Sequence, residues 1–259
     1  MVDILITSLE TISGFDMTTG LPMFILDELQ SASIANTEEK QDLTGKQGRK
    51  LSSLKKNKAV TVSGNNGILS GGMMERQVGS ASEHKTTEVM WRDYLVVKTN
   101  EATINFKAAG AVGSEIVSVT LKNSDGTLGE TLTQSSEPDS GVFKYDAASK
   151  KLTFSSVEDG TEIVVCYKRK ITADVLSNMS DKYSTKCMMY IDAMGEDICG
   201  NVYRVQFHIP KADFSGEFSI EMGDNQTVHA FTAEALAGGC GGNNALWTYT
   251  VFGADAADA

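Results

Sequence analysis

With 259 residues and 41% hydrophobic content, the chain suffices for one large domain or two smaller ones and is too apolar for a disordered protein. A formal net charge of −11 and a sequence pI of about 4.8 argue against nucleic-acid grip as the main task, because tracking phosphates needs surface Lys and Arg. Residues 1–7 lack the basic start of a signal peptide, and no run reaches the ~18 apolar residues of a membrane span. The sequence thus predicts a protein made in a cytosol, with no membrane partner.

Val, Ile, Thr, Phe and Tyr recur in short alternating runs, which predicts a mainly β protein. Residues 1–15 read as an apolar strand and 22–36 as an extended one carrying Phe24, Leu26 and Ile34. Residues 37–58 are polar and predict a long exposed loop or hairpin arm, a length uncommon in compact domains unless it has a task. Glu38, Glu39 and Asp42 open it. Six bases then fall between positions 43 and 64 without one acid: Lys46, Arg49, Lys50, Lys55, Lys56 and Lys58. A basic arm on an acidic body is self-complementary, which points to assembly before catalysis. Residues 59–63 predict a strand. Residues 67–79 predict a helix with Ile68, Leu69, Met73 and Met74 on its apolar side, although Gly71 and Gly72 weaken it. Strand returns over 89–98.

Five short strands separated by turn signals are predicted within 101–170, at 102–106, 116–121, 142–145, 151–154 and 163–167. They suggest a small β-sandwich inserted into a discontinuous host of 1–98 and 171–259. In the host, Ile171, Val175 and Met179 suggest a short helix over 171–180. Strands are predicted at 185–193, 201–209, 216–222, 227–235 and 246–252, and the Ala/Asp-rich end from Gly253 to Ala259 reads as a disordered tip.

Catalytic and metal constellations do not assemble. His208 and His229 sit on alternating strands, where a surface or packed imidazole is the simpler account. Cys166, Cys187, Cys199 and Cys240 form no C-x-x-C zinc pattern and read as free thiols. Cys240 lies in a glycine turn, with only His229 as a plausible base. Ser52-x-x-Lys55 lacks the remaining signature of penicillin-binding enzymes, and Asp125-Gly126-Thr127 lacks a calcium ligand ladder. The sequons at Asn178 and Asn225 carry little meaning without secretion. No enzymatic activity and no cofactor or metal are expected. The carboxylates Asp192, Glu196, Asp197, Asp213, Glu217, Glu221 and Asp224 read singly as solvated β surface. Together they would suit an acidic interface, or a wall that repels DNA phosphates and lets DNA slide.

Three blocks carry a family resemblance. They are Thr44-Gly45-Lys46-Gln47-Gly48 through Ala59-Val60-Thr61-Val62-Ser63-Gly64, then Lys211-Ala212-Asp213-Phe214-Ser215-Gly216-Glu217-Phe218-Ser219-Ile220, then Leu246-Trp247-Thr248-Tyr249-Thr250-Val251-Phe252. In these the chain resembles the major tail (tube) proteins of long-tailed bacteriophages over about 1–98 and 171–253, while 101–170 resembles an added immunoglobulin-like decoration. The resemblance implies a tail-tube-type β-sandwich or barrel with a flanking helix. It further implies hexameric rings stacked into a tube through which genomic DNA passes without specific binding, other tail components as partners, and a place in the virion tail after synthesis in the host bacterium. The arm would then bridge copies. Two other readings stand beside this one: a capsid or head-decoration protein, disfavoured by the lack of a long spine helix, and a glycan-binding, adhesin-like module using 101–170.

Overall fold

The computed structural model describes residues 3–223, 228–237 and 244–253. It is mainly β, with one helix among the described residues. In chain order the elements are β1 (Leu5–Phe15), β2 (Pro22–Leu26), β3 (Leu29–Thr44), β4 (Lys50–Asn66), α1 (Gly71–Val78), β5 (Glu83–Val96), β6 (Glu101–Thr103), β7 (Ile116–Lys122), β8 (Leu128–Ser135), β9 (Val142–Asp146), β10 (Lys151–Phe154), β11 (Glu162–Val175), β12 (Lys186–Glu196), β13 (Val202–Phe214), β14 (Ile220–Glu221), β15 (Val228–Ala235) and β16 (Thr248–Gly253). The chain divides into two compact units, 1–82 with 176–259, and 83–175.

In the first unit the strands lie in the order β2-β1-β12-β13-β15-β4-β3, with β14 added to β15 and β16 to β13. The alternation that predicted strands puts one side chain in two on the core face. On β12 these are Cys187, Met189, Ile191 and Ala193; on β13, Val205, Ile209, Ala212 and Phe214; on β4, Val60 and Val62. They join Ile12, Phe24, Leu26 and Phe231 in one apolar cluster. Each buried aliphatic or aromatic side chain is worth about 1.5–3 kcal/mol relative to exposure. Burial of Cys187 pushes its thiol up to about 12, which keeps it a protonated apolar group.

Helix α1 covers part of this core through Met73, which is fully buried. Ser70 caps its start, accepting from the Met73 N–H at 3.3 Å. Gly79 closes it at φ 71°, with its own N–H on the Glu75 carbonyl. Gly72 weakens the helix intrinsically but lets it sit close to β2, since a Cβ there would lie 2.7 Å from the Met23 carbonyl oxygen. From α1, Gln77 reaches β15, where its Oε1 meets His229 Nε2 at 2.8 Å. The Ser70 N–H approaches His229 Nδ1 at 3.4 Å, so the ring is held as a neutral Nε2–H tautomer, and burial lowers its pKa. His229 is thus a packed core histidine.

The second unit follows the path β5-β11-β7-β8-β9-β10-β6. Neighbours are antiparallel except β8 and β9, which pair in parallel. Its core holds Val119, Phe143, Leu152, Phe154, Ile163, Val165 and Tyr167. The sequence reading missed β8, where Leu132 alone is buried and no clean alternation exists to be read. Tyr167 donates to Asp93 at 2.7 Å, and Asp93 also accepts from the Asn105 backbone and amide and from Trp91 Nε1. Burial raises the Asp93 carboxyl pKa, but these donors outweigh it and the net shift is downward. Burial, then the bond to Asp93, pushes Tyr167 up to about 12.

Residues 171–180 correct the sequence reading. The expected helix is absent, and β11 continues as strand to Val175. β5 holds it without a bulge from Glu162↔Val96 to Val175↔Glu83. Ile171, Val175 and Met179 mimic helical spacing, but fourteen consecutive backbone pairings decide the outcome. The same ladder sets the chain's entry to this unit beside its exit, with His84 Nδ1 and Asp174 Oδ1 2.7 Å apart. The segment predicted over 216–222 is strand only at Ile220–Glu221. Cys240, Asn225, Asp224 and the tail after Gly253 lie outside the described residues.

Candidate assembly surfaces

The stretch predicted as a loop or arm is the outer part of the β3–β4 hairpin. From Thr37 to the tip and back to Ala59, hardly a side chain is buried, whereas Val60, Val62, Gly64 and Asn66 alternate into the core. A two-stranded hairpin exposed on both faces is at best marginally stable alone in water. A bulge marks where support ends. Thr37 pairs with Ala59 and Glu39 with Lys56, so Asn57 and Lys58 stand opposite Glu38 alone. Asn57 takes the left-handed φ of 52° that this requires, and its amide donates to Glu39 at 2.8 Å.

The structure rearranges the charge reading of this arm. Acids and bases that are separate blocks in sequence become cross-strand neighbours. Lys50 lies 2.6 Å from Asp42, Lys55 lies 2.9 Å from Glu38, and Lys56 donates to Gln41 at 3.2 Å. The bond from Lys55, reinforced by the charges of Lys55, Lys40 and Lys58, lowers the Glu38 carboxyl pKa. Lys46, Arg49 and Lys58 make no ion pair among the described residues. The arm also carries apolar groups that the sequence reading passed over: Leu43, Leu51 and Leu54 are all exposed, Leu51 by 62%. Three leucines in a polar run were the available signal. At the tip, Lys46–Gly48 forms a 3-10 turn, and Leu51 folds over Gly45 so closely that a Cβ there would meet its Cδ1 at 2.7 Å.

The predicted acids divide into three groups. Asp192 lies on the face of β12 opposite the core, in a register row of Thr11, Asp192, Gln206 and Thr250. Thr11 and Gln206 donate to it, at 3.3 and 2.8 Å. Asp213 shares that face and meets Lys186 at 3.5 Å; across from it stands Glu234, which the sequence reading did not single out. Toward β4 and β3 this second face is small and polar, with Ser33, Ser63 and Thr232, whereas toward β1 it carries the stacked rings of Tyr190 and His208 with Met188, Met194 and Arg204.

Glu196 and Asp197 occur at the end of β12. The Asp197 carboxylate accepts from Asn201 Nδ2 and from the N–H groups of Asn201 and Cys199, at 2.8–2.9 Å, and these bonds hold its pKa low. Glu217 and Glu221 are exposed beside the short β14. No group of three or more His, Cys, Asp or Glu that could hold a metal occurs among the described residues, and no helix there is long and apolar enough to cross a membrane.

The profile of the YomU/Tube protein family matches residues 4–250, nearly the whole chain. No curated protein matches it. The chain therefore belongs to the YomU/Tube family, a phage tail tube family, which makes it a structural component of the virion tail that assembles with itself and with other tail proteins.

Proposed function

We propose that this tail-tube protein assembles into rings, six copies each as the resemblance implies, and that stacked rings form a conduit for DNA. The observation that carries this reading is the β3–β4 arm: a long ribbon exposed on both faces, with three outward leucines and unpaired cations, gains stability only by docking on another copy. The unit of 1–82 and 176–259 forms the wall. Its second sheet face, with the Thr11–Asp192–Gln206–Thr250 row and the acids Asp213 and Glu234, lines the lumen. Its acids, with Lys186 already held by Asp213, disfavour a grip on DNA phosphates there. The unit 83–175 decorates the particle as an inserted module.

Negative-stain electron microscopy across protein and salt concentration tests the reading. Rings or hollow tubes are the expected result. Reversing Lys55, Lys56 and Lys58 to Glu is expected to abolish them while leaving the urea midpoint of the monomer unchanged. Uniform small particles of the wild-type protein at every condition would reject the tube reading, and normal tubes from the triple variant would reject Lys55, Lys56 and Lys58 as bridging charges.

A further inference from the structure

A second surface of the first unit matches the arm tip in both charge and apolarity. Where β1 begins and β12 ends, Asp3, Leu5, Glu196, Asp197 and Ile198 line an open concavity of about 500 Å³. Leu5 and Ile198 are 67% and 100% exposed. Leu5 stands in register with Glu196, and Gly195 lets Ile4 pack against the strand, since a Cβ there would lie 2.4 Å from Ile4 Cγ2. The turn that lifts Ile198 into solvent is firmly built: Asp197 spends its carboxylate on the Asn201 and Cys199 donors, and its N–H bonds the Asn201 carbonyl at 3.1 Å. An exposed isoleucine held out by a fully bonded turn is placed to meet something.

The two surfaces carry unpaired charges of opposite sign. Asp3 and Glu196 make no ion pair among the described residues, and neither do Lys46 and Arg49 at the arm tip. Asp192 and Asp213, by contrast, already have partners. We infer that the concavity at Asp3, Leu5, Glu196 and Ile198 receives the arm tip of a second copy, with Leu51 and its neighbouring leucines against Leu5 and Ile198, and Lys46 and Arg49 against Asp3 and Glu196. This rests on the reading that the arm joins copies, and it names the surface the arm meets.

Charge exchange tests the pairing. Lys46→Glu with Arg49→Glu, and separately Asp3→Lys with Glu196→Lys, each lower sedimentable assembly about tenfold, because like charges brought together across an interface are strongly unfavourable. Combining all four restores it. Position is tested independently by Leu51→Cys, which under mild oxidation forms a disulfide between copies with the native Cys199, a neighbour of Ile198 that is exposed as a free thiol. Cys199→Ser in the same variant removes that link. If the arm variants fail to assemble but the four-fold exchange gives no rescue, or the cross-link survives Cys199→Ser, the arm bridges copies through a different surface and this assignment is wrong. If the arm variants assemble normally, the arm reading falls with it.

Discussion

The inner and outer halves of the β3–β4 hairpin are made of the same two strands and have opposite fates. In the inner half, Val60, Val62 and Gly64 face the core, and β15 pairs with β4 along the other edge. In the outer half, among the described residues, no third strand joins, no apolar face is covered, and cross-strand ion pairs replace packing. Exposed pairs of that kind are worth about 0–1 kcal/mol. The inner half therefore belongs to the stability of the monomer, and the outer half, which adds little to it, is the part that the proposed function assigns to assembly.

Val62→Asp breaks the inner half most severely. It would bury an unpaired carboxylate at a fully enclosed site, with an expected loss of more than about 4 kcal/mol. Urea denaturation should show little or no folded protein. Ser53→Asp, the same new charge in the outer half, is expected to leave the midpoint unchanged. Equal loss from both would show that the arm is part of the folded core after all. Gly64→Val comes next, at roughly 2–3 kcal/mol. Its side chain would begin 2.6 Å from the Ser31 carbonyl oxygen and 2.7 Å from the Phe231 ring, and the backbone atom has no room to retreat.

How much of this was legible follows from what each half writes into the sequence. The inner strands announce themselves by alternation, as do β12 and β13, because a half-buried sheet needs it. The arm announces itself by the lack of that pattern over 37–58. The pairing of Lys50 with Asp42 and of Lys55 with Glu38 was not legible. It depends on cross-strand register, and register depends on a bulge at Asn57 and a second irregularity near Thr44 that no local signal fixes. For the same reason, the acids looked alike in sequence and separated in the structure into Asp192 and Asp213, bonded on one sheet face, Asp197, bonded within its turn beside an unpaired Glu196, and the exposed Glu217 and Glu221.

The pH response tests the inner half more gently. Burial lowers the pKa of both His229 and His208, so the unfolded chain binds protons that the fold refuses. Stability is then complete above the ordinary histidine value of 6.5 and falls as pH drops below it, before the carboxylates titrate. The urea midpoint should decline between pH 7.5 and 5, and His229→Gln should flatten that decline while retaining the part that comes from His208. An unchanged slope in the variant would mean that the imidazole protonates freely in the folded state.

The leucines should behave in the reverse manner. Replacing Leu43, Leu51 and Leu54 together with Ser is expected to shift monomer stability by no more than about 0.5 kcal/mol, as for other surface changes. Sedimentable assembly should nevertheless disappear. A monomer destabilised by several kcal/mol would instead place these side chains in an intramolecular core.

The smallest expected effect lies at the boundary itself. Asn57 holds a left-handed backbone at the bulge where the supported sheet gives way to the free ribbon. Asn57→Gly tolerates that φ and loses only the amide bond to Glu39, so both the urea midpoint and the critical concentration for assembly should stay close to wild type. Asn57→Val resists the same φ by about 1 kcal/mol or more, a strain the ribbon can relieve by shifting the bulge. Because the β15 contacts stop at Val60, that shift would re-aim the arm without disturbing the core. The Val variant should therefore keep its midpoint and assemble only at higher concentration. A matching fall in the midpoint would show instead that strain at the bulge passes into the sheet, and that the two halves are one cooperative element.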